Sequence, residues 1–228
     1  MTFTISADLF RIAYKCVSTE EKRYYLNGVY VQRAIDGAGA LLVSTDGHRL
    51  LCVRDESATG DIPEGGVIVS AVPAQVRSFK TSKEGDKSGN RLRLTITPDG
   101  LPNGAMSCEL NEGDRPLGSI YLHKIDGTFP NWRRVMPLIN DEPQQTGNFN
   151  AAYVGDFADV GVELSKWAGG ARVTPMTMLC QRGDAPALVR WGVAPAFGVL
   201  MPIRGEADQV AMPAWMSAKK NKKAKEPT

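Results

Sequence analysis

His48 and His123 are the only histidines of a 228-residue chain, and Cys16, Cys52, Cys108 and Cys180 are its only thiols. Nucleophilic or metal-assisted catalysis needs such groups at short, defined spacing. No Cys-x-x-Cys pair, no histidine at ligand spacing from a cysteine, no Gly-x-Ser-x-Gly elbow and no glycine-rich phosphate loop occurs in this sequence. The stretch that stands out is Ser44-Thr45-Asp46-Gly47-His48-Arg49-Leu50. Read as an enzyme, Thr45, Asp46 and His48 would form its catalytic cluster, but neighbours on one tight turn seldom converge on a single substrate atom and no third group is identifiable. Read as a binding element, it is an Asp-Gly hairpin between Leu41-Leu42-Val43 and Leu50-Leu51-Cys52-Val53. That pattern predicts a type I′ turn, with φ positive at both central residues, holding a polar His48-Arg49 pair at the mouth of a sheet. The chemistry on offer is directional donation by arginine beside apolar surface, so recognition rather than turnover is expected, with no enzyme activity, metal or cofactor.

A content of 43% hydrophobic and 23% charged residues is that of a globular protein, and the length allows one large or two modest domains with a real core. The N-terminus lacks a basic segment followed by an apolar block, and no window approaches the ~18 apolar residues that span a bilayer. A cytoplasmic protein without membrane contact is expected. The scattered cysteines then read as reduced core residues. Net charge is +2, but Lys219, Lys220, Lys222, Lys223 and Lys225 against Glu226 make the last ten residues +4, leaving −2 on residues 1–218. The folded part is not basic, and residues 206–228 read as a disordered, solvated Lys-rich tail with some attraction for nucleic acid.

The elements that position the hairpin follow from periodicity. Ser6 suits an N-cap, Asp8 the first turn, and Leu9, Ile12, Ala13, Cys16 and Val17 the buried stripe of a helix whose opposite face reads Asp8, Arg11, Lys15, Ser18, Lys22. Residues 24–31 and 41–53 predict three strands, broken by Gly37-Ala38-Gly39 and by Asp46-Gly47. The pattern then repeats. Residues 67–69 predict a strand, Pro73 starts a helix with Val76 and Phe79 inward and Arg77 and Lys80 outward, and 83–89 is a polar connection. Strands are expected next over 91–97, 105–110 and 118–122. A polar, turn-rich linker is expected at 138–147. Beyond it Asn150 caps a helix with Tyr153, Val154, Phe157, Gly161 and Leu164 inward, and strands are expected over 171–180, 187–191 and 197–202.

Repetition of strand, helix and three strands implies one supersecondary unit used several times, an α+β fold. Four stretches in this order carry a resemblance: Arg23-Tyr24-Tyr25-Leu26-Asn27-Gly28-Val29, the hairpin, Phe129-Pro130-Asn131-Trp132-Arg133-Arg134-Val135-Met136-Pro137, and Leu200-Met201-Pro202-Ile203-Arg204. Together they resemble the bacterial sliding clamps, the beta subunits of DNA polymerase III. The resemblance implies a DNA-clamp fold in a shortened form. Residues 1–137 are similar to the middle clamp domain, and 148–205 to the second half of the last one. Because clamps run the segment at Asn27-Gly28 as a continuous strand, the resemblance overrides the hairpin that this pair would otherwise suggest.

The resemblance also implies a function. Clamps take short peptides, typically a Gln followed by apolar and aromatic residues, in a groove between their middle and last domains. The matching positions are Arg23 and Leu26 on one strand; Thr45, Gly47, His48, Arg49 and Leu50 at the hairpin; Pro130, Arg134 and Val135; and Val199, Met201, Pro202, Ile203 and Arg204. Expected partners are polymerases or repair proteins that carry such a peptide. DNA would be held inside an oligomeric ring, with Arg11, Lys15, Lys22, Arg77 and Lys80 toward its phosphates. A clamp subunit has six units and its dimer closes a ring of twelve, so three units per chain imply either a ring of four copies or a monomeric decoy that occupies partner peptides. The outward stripe Asp156, Asp159, Glu163 on the third helix opposes phosphate in such a ring.

Overall fold

Ser6 ends one strand and starts a helix. In the computed structural model, which describes residues 1–98, 101–137, 145–170, 174–192 and 196–203, strand β1 (Phe3–Ser6) runs directly into helix α1 (Ala7–Ala13). The Ser6 hydroxyl accepts the Leu9 N–H at 3.4 Å, the cap expected of it. Leu9, Phe10, Ile12 and Ala13 are fully buried. Most of the expected linker, Arg204 and the Lys-rich end lie outside the described residues.

Three expectations for this region change. Asp8 does not face outward: it is buried and accepts both the N–H and the hydroxyl of Thr81. Helix α1 stops at Ala13 in a single 3-10 turn, Tyr14–Cys16, so the basic stripe ends at Lys15, Ser18 is buried, and Lys22 sits on a separate 3-10 segment, Glu21–Leu26. That segment replaces the start of the strand expected over 24–31. The Asn27 N–H closes it on the Tyr24 carbonyl at 2.9 Å, the Asn27 side chain reaches the Glu20 carbonyl at 3.4 Å, and β2 (Val29–Arg33) begins only afterwards. Local bonds from an asparagine side chain compete with a strand ladder, and here they win.

The remaining strands are β3 (Ala40–Thr45), β4 (Arg49–Asp55), β5 (Thr59–Gly60), β6 (Val67–Ser70), β7 (Leu92–Thr97), β8 (Ala105–Glu112), β9 (Arg115–Ile125), β10 (Met176–Leu179), β11 (Ala187–Trp191) and β12 (Ala196–Leu200). They form one antiparallel sheet in the order β10-β11-β12-β4-β3-β2-β6-β9-β8-β7-β1-β5. Its logic is exchange. The strand that leads the first unit, β1, pairs with β7 of the second, and the strand that leads the second, β6, pairs with β2 of the first. The third unit joins through β12 on β4, in the register Val199 to Leu50 and Phe197 to Cys52. Among the described residues this unit has no leading strand. Helix α2 (Pro73–Ser78) carries Val76 inward as expected, whereas 83–88, expected as a connection, is a short helix α3 capped by the Ser82 hydroxyl on the Gly85 N–H at 2.9 Å.

Alternation along β3 and β4 feeds two cores. Leu42, Leu51 and Val53 pack on α1, while Val43, Leu50 and Cys52 join Leu26, Phe129, Trp132 and Val199 on the opposite face. This is why residues 41–43 and 50–53 read as continuous apolar runs: these strands are covered on both sides. Burial pushes the Cys16, Cys52 and Cys108 thiols up to about 12, and they stay protonated core groups at neutral pH.

Helix α4 (Ala151–Trp167) starts at Asn150, whose Oδ1 accepts the Ala152 N–H at 2.9 Å, and buries Phe157, Val160, Gly161 and Leu164. A Cβ at Gly161 would meet the Trp191 ring at 2.5 Å, and that indole donates to the Phe157 carbonyl at 3.0 Å. The helix turns part of its acidic stripe onto α1. Glu163 takes Arg11 and, at 2.9 Å, Lys15; Asp156 takes Arg49; Asp159 is exposed. Two carboxylates expected to face outward are therefore matched by cations of the first unit.

Burial alone would raise the Glu163 carboxyl, but hydrogen bonds and charge from Lys15 and Arg11 hold it below its ordinary value of 4.5. A depressed carboxylate contributes stability above that value and loses it as pH falls through the folded-state value. Glu163→Gln should thus cost about 1 kcal/mol at neutral pH. In denaturant melts the gap between wild type and variant should close as pH drops below the carboxylate range; a gap that persists in acid would show that Glu163 acts through packing.

Candidate functional site

Four short pieces converge on the outer face of the sheet. The first is the loop joining β3 to β4, where Thr45 pairs with Leu50. It is not the expected type I′ turn, because among its residues only Gly47 has positive φ, at 91°. Asp46 organises the loop instead: its Oδ1 accepts the N–H of His48 at 2.9 Å and of Arg49 at 3.1 Å. The Thr45 hydroxyl donates to the Arg49 carbonyl at 2.7 Å and accepts the Gly47 N–H at 3.0 Å. An Asx-type turn satisfies the backbone without a second left-handed residue. These bonds also use the Asp46 and Thr45 groups a catalytic cluster would need, and the exposed His48 ring stacks on Tyr153, 6.0 Å between centroids.

Arg49 is the anchor of the loop. Its Nε donates to Asp46 at 3.0 Å, its Nη1 to Asp156 of α4, and its guanidinium lies 4.6 Å from the Tyr153 ring centroid. Hairpin and third helix are thereby fixed against each other. Gly47 lets a different neighbour approach, since a Cβ there would meet the guanidinium of Arg23 from the 3-10 segment.

The other pieces are the 3-10 segment with Arg23, Tyr25 and Leu26; the segment with Pro130, Asn131, Trp132 and Val135; and β12 with the residues after it. The Met201 N–H bonds the His48 carbonyl at 2.9 Å, which seats Met201 beside the hairpin. Trp132 donates to Gln32 at 3.3 Å, and Phe129 stacks on Tyr30 at 4.8 Å, holding the segment down on the sheet. Between these pieces is an open cavity of about 240 Å³. Leu26, Leu50, Trp132, Val135, Val199 and Met201 give it apolar walls, and Arg23, Thr45, Gly47 and Arg49 lie along it with Pro130.

Ten of the fifteen residues expected in a peptide groove line this cavity. Arg23 and Leu26 reach it from a 3-10 segment and not from a strand. His48, Arg134, Pro202 and Ile203 do not line it, and Arg204 lies outside the described residues. Tyr25, Asn131 and Trp132 line it without having been expected. Each is adjacent in sequence to an expected residue or one step removed, and an indole in an otherwise polar run was the available signal.

Of the expected phosphate contacts, Arg11 and Lys15 are held by Glu163, while Lys22, Arg77 and Lys80 are exposed. Among the described residues no group of three or more His, Cys, Asp or Glu side chains is placed to hold a metal ion, and no helix is long and apolar enough to cross a membrane.

No family model matches the chain. The beta sliding clamp of Caulobacter vibrioides is 35% identical over 127 residues, which are 54% of this chain and 30% of the relative. That of Escherichia coli is 31% identical over 144 residues, 63% of this chain and 33% of the relative. The matched stretch thus spans about a third of these relatives' length. Among solved structures, the sliding clamp of Bartonella birtlesii bound to griselimycin superposes with a TM-score of 0.59 at 24% identity, covering 90% of this chain and 66% of that one. The clamp of Pseudomonas aeruginosa gives 0.59 at 18% identity with the same coverage. In sequence over rather more than half its length, and in fold over nine-tenths of it, the chain resembles the bacterial beta sliding clamps.

Proposed function

We propose that this chain is a clamp-like protein of DNA replication or repair that acts by binding, taking short peptides of polymerases or other partners into the cavity beside the Asp46 loop. The observation that carries this reading is the cavity itself: apolar walls from four separate segments, with arginine donors alongside. Met201 can adapt to differing partner side chains, and Arg23, which lies along the cavity and is shared with Glu20, can orient a peptide backbone or carboxylate. Two or three anchored apolar side chains at ~1.5–3 kcal/mol each, less the cost of ordering the peptide, correspond to roughly micromolar affinity.

The helix face supports a weaker role for DNA. With Arg11 and Lys15 already matched by Glu163, duplex attraction falls to Lys22, Arg77, Lys80 and the lysines of 219–225. The two ends of the sheet are unequal: β10 offers four uncharged residues, whereas β5 is two residues long. Such a short edge blunts strand-to-strand, head-to-tail closure, and this favours a monomer over a four-copy ring.

Isothermal titration with a Gln-containing peptide bearing apolar and aromatic residues should give measurable binding, weakened about 1–3 kcal/mol by Met201→Ala or Leu50→Ala. Absence of heat at millimolar peptide would sink this reading. Duplex binding in mobility shifts should be weak and steeply salt-dependent, and replacing the five lysines of 219–225 by glutamine should lower both affinity and salt slope; an unchanged slope would assign those lysines no part. Light scattering should report a mass near 24.7 kDa at all concentrations, whereas a fourfold mass would restore the ring.

A further inference from the structure

We propose that the peptide cavity has an occupant within this same chain: residues 209–216, Gln-Val-Ala-Met-Pro-Ala-Trp-Met. The inference rests on reading the cavity as a peptide site, and adds what fills it when no partner is present. The cavity borders the last residues the structure describes. Met201 is itself a wall of the cavity, and two residues later the Ile203 N–H is tied to the Asn148 carbonyl at 2.8 Å. Everything after Ile203 therefore begins at the cavity's edge.

The residues after Ile203 are uneven in composition. From Ser217 to Thr228 there is no large apolar side chain, while Val210, Met212, Trp215 and Met216 crowd into seven positions just before it. A solvated tail has no use for such a cluster, whose exposure costs free energy until something covers it. Pro213 biases Met212 toward extended backbone, the form in which a peptide lays alternate side chains into a groove. Glu206 and Asp208 come first and would pass Arg23, a cation along the cavity that is partly exposed and shared with Glu20.

Reach is sufficient. Seven Cα–Cα steps lead from Ile203 to Val210, giving at most about 25 Å when extended and an r.m.s. span of about 15 Å when flexible. A tether of that length sets a local concentration in the millimolar range, far above the micromolar dissociation constant of a peptide of this kind. The chain's own segment would then hold the cavity against partner peptides and lower their apparent affinity by about tenfold or more.

The test uses the full-length chain, its Met212→Ala/Trp215→Ala variant, and a fluorescein-labelled synthetic peptide of residues 206–218, read by anisotropy. The peptide should bind the variant about tenfold or more tightly than wild type, and adding Met201→Ala to the variant should weaken it again, with a thermal melt confirming that each protein is folded. Equal binding to wild type and variant, sensitive to Met201→Ala in both, would overturn the tail's occupancy and leave the peptide cavity standing. Binding to neither protein overturns the inference. If a Gln-containing partner-type peptide also fails on both, the cavity reading falls with it. A dimer in light scattering that the tail substitutions dissolve would place the segment in a second copy and overturn the intramolecular form proposed.

Discussion

Arg49 is the point at which the β3–β4 loop and helix α4 are held in one arrangement. Its side chain is 11% exposed, yet it carries a full charge into the seam between the β3–β4 loop and α4. A guanidinium so placed must be matched, and it is, by Asp46 in its own loop, by Asp156 on the third helix and by the face of Tyr153. Removing any one of these partners leaves a desolvated charge rather than a simple vacancy. The loop keeps its shape because Asp46 is shared between the backbone and Arg49, and the cavity keeps its width because β12 is registered on β4 directly beneath.

The same principle operates about two helical turns further along α4. Glu163 pairs with both Arg11 and Lys15, so charges from the two sides offset each other where α1 and the turn after it meet α4. This explains why stripes read along single helices misjudged the face. Charge on an isolated helix says which side is polar, but what it meets is decided by tertiary packing that periodicity does not encode.

Much of the architecture was legible because it rests on local rules. Ser6 and Asn150 cap helices where their side chains predict, and 187–191 forms a strand over the residues its pattern marks. The misses have physical causes. Residues 24–26 are aromatic and aliphatic, as a strand would be, but Asn27 closes them into a 3-10 segment through bonds that hydrophobic pattern does not register. Asp46-Gly47 has the composition of a two-residue turn, and a longer loop forms because Asp46 can serve two backbone donors and Arg49 at once. Ten groove residues could be named because they fall in four short stretches with recognisable order, whereas Trp132 and Tyr25 enter the cavity through packing on the sheet's second face.

The exchange of leading strands sets the order in which this chain can be made. Strand β1 is made before β2 to β12 and finds only the two-residue β5 near it in sequence, because its longer partner β7 ends at Thr97, after the first unit is complete. Strand β6 must in turn bridge β2, already made, and β9, which ends at Ile125. Neither half can close its own sheet alone, and contacts this distant in sequence make folding slow and late rather than progressive. During synthesis Phe3 and Ile5 of β1 wait for the β7 residues they lie beside until Thr97 has been made, although Leu42, Leu51 and Val53 can already cover α1. That is an interval in which a nascent chain of this topology depends on being kept from its neighbours.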